Sequence, residues 1–390
     1  MKRQRQIIIT ILVFIVILME VLTLGKVFGI VSESGVSGME VKERFPRLSL
    51  GSLWKGACQE GLERWLAARL CLRVTLVRID NQINYSLFDE ISSKANTKVI
   101  LGVNKWLFEK AYVDSFNNLD AVPSSVLEGK IQSLKKLQIA LKEKGIPFLF
   151  AITPSKASIY PEYINPKYLI ANKQEKDSNY YKIVPLLNKY KINYIDGHQF
   201  FVDLKRRSPY LLYPQSGTHW NYYSAYLFTV ELISRLTKML NKDLVNIRCE
   251  DIKVSNTPQG NDADLAELCN IFFSKSLYGQ YLYPKTAPSP NQGTAFRPKI
   301  LFVGGSYLYT LFYYMDKHQI YSERVLYFYN KTRKFYPKRP DSPVDTDARK
   351  LRNEVLAQDV IIVEANEETL GRIGFGFVED TLNALDSTHD

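Results

Sequence analysis

The chain has 390 residues, 46% of them hydrophobic, which is enough for one large domain or two modest ones with a full core. Its formal net charge is +11 and no nucleic-acid-binding module is visible, so an acidic polysaccharide or an anionic membrane face suits it better than DNA or RNA. Its four cysteines, Cys58, Cys71, Cys249 and Cys269, include no C-x-x-C pair, which argues against a zinc ribbon or a thioredoxin-type centre. Disulfides Cys58–Cys71 and Cys249–Cys269, or four free thiols, both stay open.

Lys2, Arg3 and Arg5 precede an almost wholly apolar run from Ile7 to Met19 that continues to Ile30, broken by Glu20 and Lys26. Basic residues before such a run keep the N-terminus in the cytoplasm and send the rest across. The run has about the ~20 residues that a bilayer requires. No small-x-small cleavage site follows, so a retained single-pass anchor is expected over residues 1–30, although a cleaved signal has the same charge pattern. A polar linker at 31–50 then leads to a helical segment at 51–98, where Trp54, Leu62, Trp65, Leu66, Leu70 and Leu72 begin the apolar stripes.

The remaining chain, 99–390, reads as an α/β domain. Val99–Val103 and Trp106–Phe108 predict a hairpin. Ser125–Gly145 predicts a helix with a Ser125/Glu128 capping box and a glycine stop. Ile146–Thr153 predicts a buried strand running into Pro154-Ser-Lys156 and Tyr160-Pro-Glu162. A helix over 180–190, a strand over 193–196 and a helix over 225–240 come next. Residues 250–298 look loop-rich, with a short helix at Asp264–Leu268. Strands follow at 300–303, 324–329 and 359–364, with a basic, proline-bearing loop over 331–343. Strands near 148, 194, 302, 327 and 361, separated by helices, indicate a parallel sheet whose ligands belong at the carboxyl ends.

Two stretches carry chemistry. The apolar run Ile300–Val303 ends in Gly304-Gly305, which permits a sharp turn, and Ser306 stands where the next helix should begin. A serine there is lifted off the strand end, with helix N–H groups facing whatever it attacks, as a nucleophile needs. A plain helix-capping serine has the same signature. The second stretch is Gly217-Thr-His219-Trp220-Asn221, just before a helix; a histidine is able to take the serine proton and return it. A structural or solvated histidine is the alternative.

Taken together and in this order, Gly102-x-x-x-Trp106-Leu-Phe108, Pro154-x-Lys156-x-x-x-Tyr160-Pro-Glu162, Gly-Thr-His219-Trp-Asn, Asp264-Leu-Ala, Gly304-Gly-Ser306-Tyr and Val363-Glu-Ala-Asn366-Glu resemble the AlgX/AlgJ family of alginate-type O-acetyltransferases, over roughly residues 50–375. The resemblance implies an SGNH-hydrolase-like parallel sheet flanked by helices. It also implies action outside the cytoplasmic membrane on a polysaccharide acceptor, with an acetyl donor supplied through a membrane-bound O-acyltransferase; no cofactor or metal is expected. Ser306 matches the family nucleophile and His219 its general base. The family aspartate, two residues before the histidine, falls on Gly217. Three arrangements remain open: a Ser306–His219 dyad oriented by a backbone carbonyl, a carboxylate such as Glu364 or Asp264 brought in from elsewhere, or a site without catalysis in a glycan-binding subunit. A carbohydrate acetylesterase would use the same residues with water as acceptor. Asn366, after the last strand, is the expected oxyanion donor beside the Ser306 N–H, or else a helix cap. Lys156, Tyr160 and Tyr307 are the expected substrate contacts, with rim exposure or core packing as alternatives.

Overall fold

The computed structural model describes residues 45–46, 49–69, 73–91, 98–274, 278–290 and 295–386, with scattered positions between 5 and 25. Most of the apolar run at 7–30 and most of the 31–50 linker lie outside the described residues. Among those described, no helix is long and apolar enough to cross a membrane. The chain divides into two compact units, Met1–Val99 with Ala266–Ser274, and Ile100–Leu265 with Lys275–Asp390.

In the first unit the amphipathic stripes form helices Leu50–Trp54, Ala57–Arg69 and Arg73–Leu87. Asn81 Nδ2 donates to the Cys269 carbonyl (3.0 Å), and the Phe272 N–H donates to Gln82 Oε1 (3.1 Å). These bonds fasten the segment 266–274 to the helix Arg73–Leu87.

The strands are β1 Val99–Leu101, β2 Leu107–Glu109, β3 Phe148–Thr153, β4 Tyr194–Asp196, β5 Ile247–Ser255, β6 Tyr281–Pro288, β7 Lys299–Gly304, β8 Glu323–Phe328, β9 Thr332–Tyr336, β10 Ser342–Pro343 and β11 Val360–Asn366. β1 and β2 make a small sheet, and β5 pairs antiparallel with β6. The others form one sheet in the order β10-β9-β8-β7-β11-β3-β4. β8, β7, β11, β3 and β4 run parallel, while β9 and β10 close one edge antiparallel. The five strands expected from the sequence are the five parallel ones. Their apolar runs are continuous because alternate residues enter different cores. Leu149, Ile300, Phe302 and Ile362 face one layer of helices; Phe148, Phe150, Leu301, Val303 and Ile361 face the other.

Helix Ser124–Glu143 lays Leu127, Ile131, Leu134, Leu137 and Leu141 on the second face, and Gly145 ends it in the left-handed region (φ +76°). The expected capping box is absent. The cap falls two residues earlier, on Pro123, with no side-chain cap bond, so Ser125 lies inside the first turn.

Two further expectations are corrected. The stretch 250–298 keeps its loops and the short helix Asp264–Leu268, but it also holds most of the β5–β6 ribbon, whose outward residues are polar enough to hide the pattern; β5 alone carries Arg248, Glu250, Asp251 and Lys253. The basic loop at 331–343 is the β9–β10 edge. It tolerates its charges because Arg333 meets Glu354 (3.1 Å) and Lys334 meets Asp341 (3.1 Å). Cys249 keeps its thiol hydrogen, donated to the Asp251 carbonyl (3.2 Å), so the Cys249–Cys269 disulfide is not formed. Cys58 is also a free thiol, and Cys71 lies outside the described residues.

Candidate active site

The parallel strands deliver their carboxyl ends to one rim, and the loops leaving that rim carry the candidate residues. β7 is buried from Ile300 to Gly304. At Gly304 an added Cβ would come within 2.5 Å of Glu364 Oε2, so the bare glycine leaves room for that carboxylate. Glu364, on β11, is 1% exposed. Its Oε1 accepts from the Thr153 hydroxyl (2.5 Å) and its Oε2 from the Gly305 N–H (2.7 Å). Burial raises its carboxyl above the usual 4.5, which those two bonds and the nearby His219 partly offset. The Gly305 peptide is thus tied to β11, and the turn presents Ser306 ahead of helix Leu308–Lys317. The helix packs back through Leu308, Leu311 and Phe312, as its spacing predicts. Among the described residues no acceptor meets the Ser306 N–H.

His219 sits in the loop that precedes helix Tyr222–Leu240. Asn221 caps that helix, accepting from the Ser224 N–H (2.9 Å). Trp220 is buried and stacks on Phe201 (5.4 Å between rings). The loop is also held from below, since the Leu107 N–H of β2 donates to the Gln215 carbonyl (2.9 Å). The imidazole therefore has little freedom, and its Nε2 lies 2.8 Å from Ser306 Oγ.

Behind the imidazole stands Asp264. His219 Nδ1 is 2.9 Å from Asp264 Oδ2. A carboxylate has no proton to give, so Nδ1 carries the hydrogen and Nε2 is left to accept from the Ser306 hydroxyl. Asp264 is itself oriented: its Oδ1 accepts from the Thr218 and Leu265 N–H groups, each at 2.8 Å. Gly217 explains how it gets there. A Cβ at Gly217 would lie 2.8 Å from the carbonyl oxygens of Asn261 and Asp262. The missing side chain lets the 261–264 backbone close on the histidine loop, where Ser216 Oγ donates to the Asp262 carbonyl (2.7 Å). Of the alternatives left by the sequence, the carboxylate from another loop is the one observed, and Asp264 rather than Glu364 is that carboxylate.

The other expected site residues are placed differently. Asn366 borders the cleft, but its Nδ2 donates to the Thr153 (3.1 Å) and Pro154 (3.0 Å) carbonyls while its Oδ1 accepts from the Glu368 N–H (3.2 Å). It is a cap that also joins two strand ends, and its amide hydrogens are already spent. Lys156 is not at the rim. It is 2% exposed, and its Nζ donates to the carbonyls of Leu107 (2.8 Å), Gln215 (2.9 Å) and Gly217 (2.9 Å). Burial drives its pKa well below the usual lysine range. It clamps the histidine loop to β2. Tyr160 is buried, its hydroxyl oxygen accepting from the Leu212 N–H (2.9 Å), and burial pushes the phenol up to about 12. Tyr307 is buried against the His219 ring (4.9 Å between ring centres), its hydroxyl donating to the Thr218 carbonyl (3.2 Å), and it forms part of the cleft wall. Packing explains all three, because each polar tip already has a backbone partner.

The cleft at Ser306 holds about 280 Å3 and is also bordered by Tyr112, Tyr329, Glu368 and Arg372. Sequence reasoning missed these four. Glu368 and Arg372, four residues apart, pair at 2.7 Å, a spacing that was visible but unremarkable. Glu109 accepts from Thr218 Oγ1 (3.3 Å); burial and the Asp264 charge raise its carboxyl. Among the described residues no group of His, Cys, Asp and Glu is arranged to hold a metal.

Hydroxyl, imidazole and carboxylate in one hydrogen-bonded line, beside an uncommitted N–H at a helix start, make an arrangement suited to acyl transfer. Comparison with known proteins agrees at the level of family. Residues 99–323, more than half of the chain, match the family model for the SGNH hydrolase-like domain of the acetyltransferase AlgX. Similar solved structures include the O-acetyltransferase domain of Pseudomonas putida AlgJ, at 19% identity and TM-score 0.45, over 70% of this chain and 92% of that one. Pseudomonas aeruginosa AlgX is similar at 16% identity and TM-score 0.46, over 74% and 70%. Bacillus cereus PatB1 is similar at 11% identity and TM-score 0.44, over 72% and 99%. No curated protein matches.

Proposed function

The chain belongs to the AlgX family of SGNH hydrolase-like acetyltransferase domains, and on that premise we propose that it O-acetylates a polysaccharide outside the cytoplasmic membrane through an acetyl-Ser306 intermediate. The observation that carries this reading is the Ser306–His219–Asp264 line, at 2.8 and 2.9 Å.

In the first half-reaction Ser306 Oγ attacks the carbonyl carbon of an acetyl donor as its proton passes to His219 Nε2. The developing oxyanion takes the Ser306 N–H, at the positive end of helix Leu308–Lys317. The imidazolium keeps its Nδ1 hydrogen on Asp264, which stabilises the charge without taking the proton. Collapse breaks the donor bond, the Nε2 proton leaves with the departing group, and an ester on Ser306 remains. In the second half a sugar hydroxyl attacks that ester, its proton passing to Nε2. Collapse returns this proton to Ser306 Oγ and releases the acetylated sugar. Asp264 supplies the carboxylate that Gly217 lacks, which removes the main reason to read the site as inert. The apolar run at 7–30 would anchor the domain beside a membrane-bound acyltransferase that feeds it acetyl groups.

Incubation with p-nitrophenyl acetate tests the first half. A burst of p-nitrophenol stoichiometric with enzyme is expected from the parent and not from Ser306→Ala or His219→Ala. A burst of equal size from the Ser306→Ala variant contradicts the reading. Product analysis with and without a sugar acceptor separates transfer from hydrolysis.

A further inference from the structure

The turn after β11 separates two hollows, since Asn366 and Glu368 border the Ser306 cleft while Glu367 between them borders a second cavity of about 240 Å3. Acetyl transfer makes no use of this second cavity. One part of its wall is aromatic: Tyr181 is 45% exposed, and Tyr180 packs beside it (5.1 Å between ring centres) and over the His198 imidazole (4.2 Å).

The other part is polar and built. His198 Nδ1 lies 2.5 Å from Glu367 Oε1, and Glu367 Oε2 accepts from the Ser155 N–H (3.2 Å). Glu367 is 7% exposed, so this imidazole is held by a buried carboxylate that already has its partners. Nδ1 is committed, which leaves Nε2 as the ring nitrogen for an occupant of the cavity. The wall has no excess of positive charge, since Lys173 and His198 stand with as many carboxylates, Glu175 and Glu367. A wall without excess charge is poorly suited to capturing an anion. An aromatic face with a converging imidazole instead complements a ring that is C–H on its faces and hydroxyl at its edge.

We infer that this second cavity binds one neutral pyranose unit of a glycan, with Tyr181 against the ring face and His198 Nε2 at a ring hydroxyl. The choice of a sugar rests on the acetyltransferase reading, but occupancy requires no catalysis, so the two stand or fall in different experiments.

Calorimetry and saturation-transfer NMR on the full chain carrying Ser306→Ala provide the test, with cellotetraose and tetra-N-acetylchitotetraose as neutral probes and tetragalacturonate as the acidic one, at physiological ionic strength. At least one neutral tetramer is expected to bind more tightly than the acidic one. Adding Tyr181→Ala or His198→Ala should weaken binding roughly tenfold, the worth of one aromatic or polar contact. Tyr181→Phe, which keeps the ring, should retain it and so guards against a mere folding defect. Three results overturn the inference: no binding of either neutral tetramer, tighter binding of the acidic one, or binding undiminished in both Tyr181→Ala and His198→Ala. Loss of p-nitrophenyl acetate turnover has no bearing on any of these outcomes.

Discussion

Two histidines near the rim of this sheet each give Nδ1 to a carboxylate, and they are equipped for different work. His219 faces Asp264 at 2.9 Å and has the Ser306 hydroxyl on its other nitrogen at 2.8 Å. His198 faces Glu367 at 2.5 Å, and no hydroxyl is bonded to its other nitrogen among the described residues. Their surroundings differ as well. The Asp264 side chain is 28% exposed, so solvent helps to screen its charge; that of Glu367 is 9% exposed, and its charge acts on His198 with little screening. Burial alone would lower His198, but the charge and hydrogen bond of Glu367 outweigh it and raise the imidazole above its ordinary 6.5. Burial alone would raise Glu367, but the His198 charge and hydrogen bonds outweigh it and hold the carboxyl below its ordinary 4.5. A histidine–carboxylate pair is therefore not in itself a catalytic device. It becomes one when a nucleophile stands on the far side, and without one it serves as a fixed polar wall.

The sharpest way to break this contrast is at Asp264. Asp264→Asn keeps the shape but lets the imidazole turn over its tautomer, and the acylation rate should fall by about 10³ to 10⁴. A loss below about tenfold would put Asp264 outside the chemistry. Next comes Gly217→Asp, which restores a carboxylate two residues before the histidine. Its Cβ would press on the Asn261 and Asp262 carbonyls at 2.8 Å and push Asp264 away, so a loss on the order of 10²-fold is expected rather than a gain. Faster acylation would show that the loop has room.

Glu364 sharpens the contrast in another direction, since its partners are a peptide N–H and a threonine hydroxyl that do not change charge in the cycle. Glu364→Ala strands two buried donors and should destabilise the fold by about 1–3 kcal/mol for each, visible in thermal melts, while Glu364→Gln recovers most of it. Equal melting of the two variants would contradict a bonding role.

The smallest effect is the pH dependence of the His198–Glu367 pair. His198 is raised, so its contribution to stability is complete below 6.5 and fades as pH rises through its folded value. Glu367 is lowered, so its share is complete above 4.5 and fades as pH falls through its own folded value. The melting difference between the parent and Glu367→Gln should thus be largest between pH 4.5 and 6.5 and narrow on either side. A difference that does not vary with pH would mean the pair is not ionic.

Ser306 and His219 were legible because each carries a local signature, an apolar run broken by two glycines in one case and a loop opening a helix in the other. The parallel sheet was legible for the same reason, its strands being apolar on both faces. Asp264 could only be named as one of several carboxylates, because its link to His219 spans 45 residues and passes through a helix and β5, whose polar outer face carries no clear period. Lys156 was misplaced because a lysine is ordinarily expected at the surface; three backbone carbonyls converging on one ammonium group cannot be read from a chain taken one residue at a time. Asn366 has the position of an oxyanion donor, and only the bonds it makes reveal that its amide is already occupied.

Peptide mapping by mass spectrometry after a brief exposure to p-nitrophenyl acetate and acid quench locates the acetyl group itself. An acetyl group is expected on the peptide containing Ser306, accumulating far more slowly in Asp264→Asn and absent in Ser306→Ala. An acetyl group found only on other residues, or the same labelling of that peptide in all three proteins, would contradict an acetyl-Ser306 intermediate.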